Sequence, residues 1–415
     1  MPTPMRRVRL CMKDLYHQDL VEMVERETRQ FQIWEICDPD DPLFPEAFRL
    51  LWEAFGAVGE MEREDAIRQF LADDSYEPVA SGTYVRYFLL VARDKDGSIR
   101  GVRDGSVLVN PAYARDLCVV FLSHIYMRPE ARGTVLSYWL RIAPVELAMN
   151  YLAELHARGK IELPNPDQPH RYFGMRMDMA AEMEFYEPED RVSWQRILFY
   201  GRGGFDVINP RHFPYLQPDF RDPEEIRQTG NQPVPFMMLV RRMGREMQAQ
   251  MTIEEASALM RLIYDDFACH CSAEFLDNSL QRVLDRLAER AKAKQFVELL
   301  PLPTDSRNLP RLRRLFRYTV YSRYYRGASP AVRAYLDAGI RTKLRKQPRY
   351  LEDAIASIAA ELDSRPSFVF GSRDKRFTFS DQPIEERPEP SLDGDPDETL
   401  DIAIPADMLA RLRGR

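Results

Sequence analysis

The stretch Ile125-Tyr126-Met127-Arg128-Pro129-Glu130-Ala131-Arg132-Gly133-Thr134 decides how the rest of the chain is read, because a buried strand stops there and a helix begins. Leu117 to Met127 is almost wholly apolar, the pattern of a central strand covered on both faces, and Pro129 ends it. A helix then runs from Thr134 to about Arg158. A cationic turn that feeds a helix N-terminus presents free N–H groups beside a guanidinium. That combination suits an anion such as phosphate.

Upstream, Tyr84 to Ala92 and Ser106 to Asn110 are rich in aromatic and β-branched residues, with a turn signal at Asp94-Lys95-Asp96-Gly97. Before them come a short strand at Phe31 to Ile36 and two helices, Pro45 to Phe55 and Arg63 to Leu71. Downstream, Tyr172 to Met183 is expected to be a strand and Arg191 to Tyr200 a helix, followed by strands at Phe205 to Ile208 and Val234 to Arg241. After Gly244 the pattern is helical, with helices at Ile253 to Phe267, Phe275 to Phe296, Leu309 to Tyr325, Pro330 to Leu344 and Leu351 to Leu362, and a small hairpin is expected at Ser367 to Asp381. The expected domains are a helical extension over 1–30, a mixed α/β domain over 31–243, an all-α domain over 244–380, and an acidic tail over 381–415.

This order of elements, together with Met127-Arg128-Pro129-Glu130-Ala131-Arg132-Gly133, resembles the GNAT superfamily of acyl-CoA-dependent N-acyltransferases. In that family a strand ends with a pattern like V-x-P-x-x-R-G-x-G-x-G before a helix. Phe199-Tyr200-Gly201-Arg202-Gly203-Gly204-Phe205 resembles a second family feature, a helix ending in Y-x-x-x-G-F. The family's two later glycines are Val135 and Ser137 in this chain, and side chains there crowd a backbone cradle. The resemblance implies an α/β (α+β) fold with a mixed, mostly antiparallel central sheet flanked by helices. It also implies an enzyme that moves an acetyl or other acyl group from acetyl-CoA, or another acyl-CoA, to an amine on a small molecule or peptide.

By the same resemblance, Ile125, Tyr126 and Met127 offer backbone groups to the thioester and the pantetheine amides. Arg132, Gly133, Thr134, Val135, Leu136 and Ser137 cradle the pyrophosphate. Tyr200 matches the residue that protonates the departing thiolate, and a phenol with a pKa near ~10 holds its proton at neutral pH. Candidates for the general base are Glu182 and Glu184, two apart on one strand face, and His124, which titrates in a useful range. Glu60 and Glu62, between the two early helices, stand where the family forms its acceptor pocket.

Composition sets the outer bounds. With 415 residues, 45% of them hydrophobic and 30% charged, the chain is neither fibrous nor wholly disordered. No apolar run is long enough for a membrane span, and five irregularly spaced cysteines fit reduced thiols, so a cytoplasmic protein is expected. Cys269-His270-Cys271 looks metal-like, but successive helical side chains fan apart by about 100°, so no metal is expected. The net charge of −7 argues against generic nucleic-acid binding. Residues Arg307 to Tyr350, however, hold thirteen Lys or Arg against one acidic residue, with aromatics interleaved. Two alternatives therefore stand beside acyl transfer: an acyl-CoA-binding regulatory protein without catalysis, and binding of nucleic acid or another anionic partner through 307–350.

Overall fold

The computed structural model describes residues 5–7, 31–56, 60–132, 134, 136–183, 191–210, 212–231, 233–246, 248–272, 275–276 and 279–302. The expected helix within 1–30, the three helices after residue 308 and the hairpin at 367–381, like the basic stretch 307–350 and the acidic tail, lie outside the described residues. The chain divides into two compact units that interleave along the sequence. The first takes residues up to Ala181 together with Asp219–Pro223 and Ala258–Leu276. The second takes Glu182–Pro218, Glu224–Ser257 and the residues from Asp277 on.

In the first unit, strands β1 (Arg6–Arg7), β2 (Phe31–Ile36), β3 (Tyr84–Asp94), β4 (Ile99–Val109), β5 (Leu117–Met127) and β6 (Arg176–Met183) lie side by side in sequence order. Pairing is antiparallel from β1 to β5 and parallel between β5 and β6. Helices α1 (Phe44–Phe55) and α2 (Glu64–Ala72) sink Phe44, Leu50, Leu51 and Ile67 into a core with Ile36, Leu89, Val91 and Val102. Helix α3 (Leu136–Ala157), the crossover to β6, is buried on nearly every side from Leu136 to Val145. A parallel pair needs such a crossover, and a helix with apolar residues all round is one covered by its neighbours.

Two glycines in β4 shape this packing. A Cβ on Gly101 would stand 2.8 Å from Leu140 Cδ1, so the missing side chain lets α3 lie close against the strand. Gly105 has φ +153°, and a Cβ there would meet the Phe121 carbonyl oxygen at 2.1 Å. Because that obstacle is backbone, Gly105→Ala is expected to destabilise the protein by about 2–3 kcal/mol through overpacking, read as a lower urea midpoint at unchanged m-value.

In the second unit, α4 (Arg191–Arg202) precedes β7 (Asp206–Ile208). Then come β8 (Leu216–Gln217), α5 (Pro223–Thr229), β9 (Val234–Pro235) and β10 (Met237–Arg242). The last described elements are β11 (Gln250–Thr252), α6 (Ile253–Phe267), α7 (Ser279–Ala291) and β12 (Phe296–Pro301). Strand β7 pairs with β10 and β12, and β12 with β11, all antiparallel.

The structure corrects the expectation of helices alone in the stretch from Gly244 to Phe296. The stretch expected as one helix, Phe275 to Phe296, is the shorter α7 followed by β12. Val297, Leu299 and Leu300 are buried and the 0%-exposed Glu298 pairs with Arg290, so a strand there has both faces covered. Helix α6 has the expected bounds, but from Ala258 onward it belongs to the first unit, where Phe267 meets Phe121 of β5 edge-on at 5.6 Å.

Candidate functional site

The β5–β6 ladder runs from Leu117↔Arg176 to Leu122↔Ala181 and stops, whereas β5 stays paired with β4 as far as Met127↔Gly101. A bulge marks the divergence. Arg103 pairs with Ile125 and Gly105 with Leu122, so Ser123 and His124 together face Asp104. A bulge bends its strand and sharpens the twist, which turns Ser123–Met127 off the line of β6 and leaves that edge outside the β6 ladder. The His124 N–H, displaced from the strand ladder, donates to Asp104 Oδ1 at 2.8 Å.

Beyond Met127 the turn is tied in place by Arg128, which donates from Nε to the Ile99 carbonyl at 2.7 Å and from Nη2 to Glu46 at 2.7 Å. Residues Pro129–Ala131 form a single 3-10 turn. Arg132 is exposed; its Nε donates to the Met127 carbonyl at 3.1 Å, and its terminal nitrogens make no hydrogen bond among the described residues. Thr134 caps α3, its hydroxyl accepting from the Leu136 N–H at 3.3 Å while donating to the Ala131 carbonyl at 2.7 Å. The Ser137 hydroxyl donates back to the Thr134 carbonyl. Gly133 and Val135 lie outside the described residues.

His124 faces the α1–α2 side of the bulge with both ring nitrogens engaged. Nδ1 lies 3.0 and 3.1 Å from the two Asp104 oxygens, and Nε2 lies 2.7 Å from the Glu60 carbonyl oxygen. Both neighbours are acceptors, so both nitrogens donate and the ring is an imidazolium. Burial opposes that charge, but Asp104 outweighs it and brings the pKa up to about 9. Tyr87 donates to Asp104 Oδ2 at 3.0 Å, and burial beside that carboxylate pushes the phenol well above its ordinary value. Next to this pair, His270 Nε2 stands 2.9 Å from Glu62 Oε1. Burial works against the Glu62 charge, yet the imidazole holds its carboxyl down to about 2.

Tyr200 and Glu182 belong to the second unit. The Tyr200 ring lies near those of Phe199 and Phe205, with centroids 5.2 and 5.1 Å away, and its hydroxyl makes no hydrogen bond among the described residues. Glu182 accepts from the Tyr215 hydroxyl and from Gln217 Nε2 at 2.9 Å, so both of its oxygens are held. Glu184 lies outside the described residues. Among the described residues no group of three or more His, Cys, Asp or Glu converges as a metal site, and no helix is long and apolar enough to cross a membrane.

Solved structures similar to this chain include a spermidine N-acetyltransferase from Vibrio cholerae in complex with CoA and spermine. It is 8% identical, with a TM-score of 0.28 and coverage of 53% of this chain and 99% of that one. A GNAT superfamily phosphinothricin acetyltransferase from Sinorhizobium meliloti in complex with AcCoA is 18% identical, with a TM-score of 0.20 and coverage of 38% and 62%. No protein-family model matches the chain, and no curated protein does. The functional reading therefore rests on the chain's own geometry.

That geometry suits an anionic group. Arg132 has terminal donors to spare at the start of α3, and the β5 edge beyond Leu122 is free of the β6 ladder. One α3 donor is already taken, because the Leu136 N–H bonds to Thr134.

The sequence reading did not find Asp104, Asp266 or the pairing of His270 with Glu62. Its one available signal was Arg103-Asp104, a charged pair inside an otherwise strand-like run.

Proposed function

We propose that the chain is an N-acyltransferase that moves an acyl group from an acyl-CoA to an amine. The observation that carries this reading is the parallel β5–β6 pair that separates after Leu122, directly ahead of a cationic turn and a capped helix. In this reading the backbone of Ser123–Met127 extends along the pantetheine amides and donates to the thioester oxygen, whose charge grows as the amine attacks. Arg132 and the first turn of α3 hold the pyrophosphate. The Tyr200 hydroxyl donates its proton to the departing thiolate.

His124 donates from both nitrogens, so its part is to hold the bulge and the loop carbonyl of Glu60 rather than to take a proton. Glu182 or Glu184 receives the proton from the amine, directly or through water. Glu182 is already oriented for this by Tyr215 and Gln217.

Calorimetric titration with acetyl-CoA and longer acyl-CoAs tests the proposal. Binding is expected, with affinity about 10-fold weaker in Arg132→Ala, as for loss of one or two charge-assisted hydrogen bonds. Failure of every acyl-CoA to bind would remove the reading. Binding without thiol release for any amine would leave a regulatory acyl-CoA-binding protein instead.

A further inference from the structure

On the α1–α2 side of the bulge the first unit holds ionisable groups whose charges do not balance. Asp104 is paired with His124, and Glu62 with His270. Asp266, in the last turn of α6, is 6% exposed and takes a hydrogen bond from the Ser106 hydroxyl, yet no cation forms an ion pair with it among the described residues. Three carboxylates therefore share two imidazoles.

A second observation concerns His270. Its side chain is 7% exposed, and Nδ1 has no hydrogen-bond partner among the described residues. The ring is enclosed by Phe70 at 4.9 Å, Phe220 at 6.0 Å and Phe267 at 6.2 Å between centroids. A buried carboxylate with no cation in ion-pair contact and a buried imidazole nitrogen with no hydrogen-bond partner are each costly, and both are satisfied by a single ligand that brings a cation and a hydrogen-bonding oxygen.

We propose that Asp266, His270 and the rings of Phe70, Phe220 and Phe267 form a binding site for a primary ammonium compound carrying a neighbouring oxygen acceptor, such as an amino alcohol. The ammonium pairs with Asp266, and His270 Nδ1 hydrogen-bonds with the alcohol oxygen. Glu62, with its side chain 13% exposed, is the member of the cluster that reaches solvent. This deepens the acyl-transfer reading and rests on it only in making the bound amine the acyl acceptor. The site draws on α6 and the turn after it, which lie outside the stretch 31–243 that carries the family resemblance.

The groups facing Asp266 are Tyr87 from β3, Ser106 and Asp104 from β4, Glu62 from the segment before α2, and His270 with the thiols of Cys269 and Cys271 from the turn after α6. Burial, reinforced by Glu62 and Asp104 and opposed by His270, brings the Asp266 carboxyl up to about 6. An acid raised in the folded state costs stability once pH exceeds its unfolded value, and the cost is complete above its folded value. Asp266→Asn keeps the shape and removes the charge. It is therefore expected to raise Tm by a few degrees at pH 8 and to leave it nearly unchanged at pH 4.

The experiment is calorimetry on the full chain at pH 7.5 without CoA, using phenylalaninol as probe. Expected results are saturable binding of phenylalaninol, at least 10-fold weaker binding of 2-phenylethylamine and of 3-phenylpropan-1-ol, and at least 10-fold weaker phenylalaninol binding by Asp266→Asn. The proposal is overturned if the wild-type chain does not bind phenylalaninol, if Asp266→Asn binds it equally well, or if that variant is less stable at pH 8. Acetyl-CoA titrated into the same two preparations separates the readings. CoA binding without amine binding removes this site and keeps acyl transfer, and amine binding without CoA binding does the reverse.

Discussion

Asp104→Ala is expected to destabilise the protein by about 3–5 kcal/mol at pH 6.5, the range for removing one partner of a buried ion pair. Asp104 is 1% exposed and accepts three bonds at once: from the His124 N–H, from the His124 ring and from the Tyr87 hydroxyl. Truncation leaves a buried imidazolium, a strand N–H freed by the bulge and a phenol, none with its acceptor.

The pH dependence gives the test its sign. The His124 pKa is raised in the folded state to about 9, so its contribution is full below the unfolded value near ~6.5 and fades as pH rises through about 9. Wild-type stability should fall by about 2–3 kcal/mol across that window, and His270, also raised, adds in the same direction. Without Asp104 the buried ring loses its reason to hold a proton, so the variant should keep only the shallower slope that His270 supplies, and the two curves should draw together toward pH 9.5. Urea midpoints at pH 6.5 and 9.5 measure this. A difference below about 1 kcal/mol at pH 6.5 would show that the pair contributes little.

Tyr200→Phe is expected to lower kcat about 100-fold while leaving acetyl-CoA affinity and thermal stability unchanged. The stability half follows from geometry. The ring is 5% exposed against Phe199 and Phe205, and the hydroxyl makes no hydrogen bond among the described residues, so deleting it breaks no contact within the fold. The kinetic half follows from the role proposed for that free hydroxyl. Following thiol release with a good amine acceptor decides the point, and a rate within two-fold of wild type would take Tyr200 out of the mechanism.

What the sequence disclosed was local. Leu117–Met127 has the bounds expected of it because an apolar run closed by Pro129 has one physical reading, and α1, α2 and α6 carry apolar spacing that only a helix satisfies. Strand β4 is legible only from Ser106, because Arg100, Arg103 and Asp104 look like surface residues, whereas the fold buries the last two. Tyr172 and Phe173, with their strand-like composition, instead adopt φ of +52° and +57° in a tight turn, and β6 begins at Arg176.

The candidate site divides the same way. Arg132, Thr134 and Tyr200 stand in contiguous motifs. Asp104, Asp266 and His270 gain their meaning from partners distant in sequence, and no spacing rule reaches that far. Single-strand alternation also gives no hint that Ser123 and His124 share one partner.

The interleaving of the units bears on how the protein is made. All the sheet-forming segments of the first unit up to Ala181 are synthesised before the Ala258–Leu276 stretch that completes it. While residues 182–257 are emerging from the ribosome, Glu62 has no histidine beside it and Phe121 has no Phe267 over its ring. A nascent chain at that stage carries an uncovered apolar strand face and an unpaired carboxylate, the condition in which partly folded chains associate wrongly. Translation therefore imposes an order that the finished structure conceals, in which the first unit waits for residues beyond Ser257 before it can close.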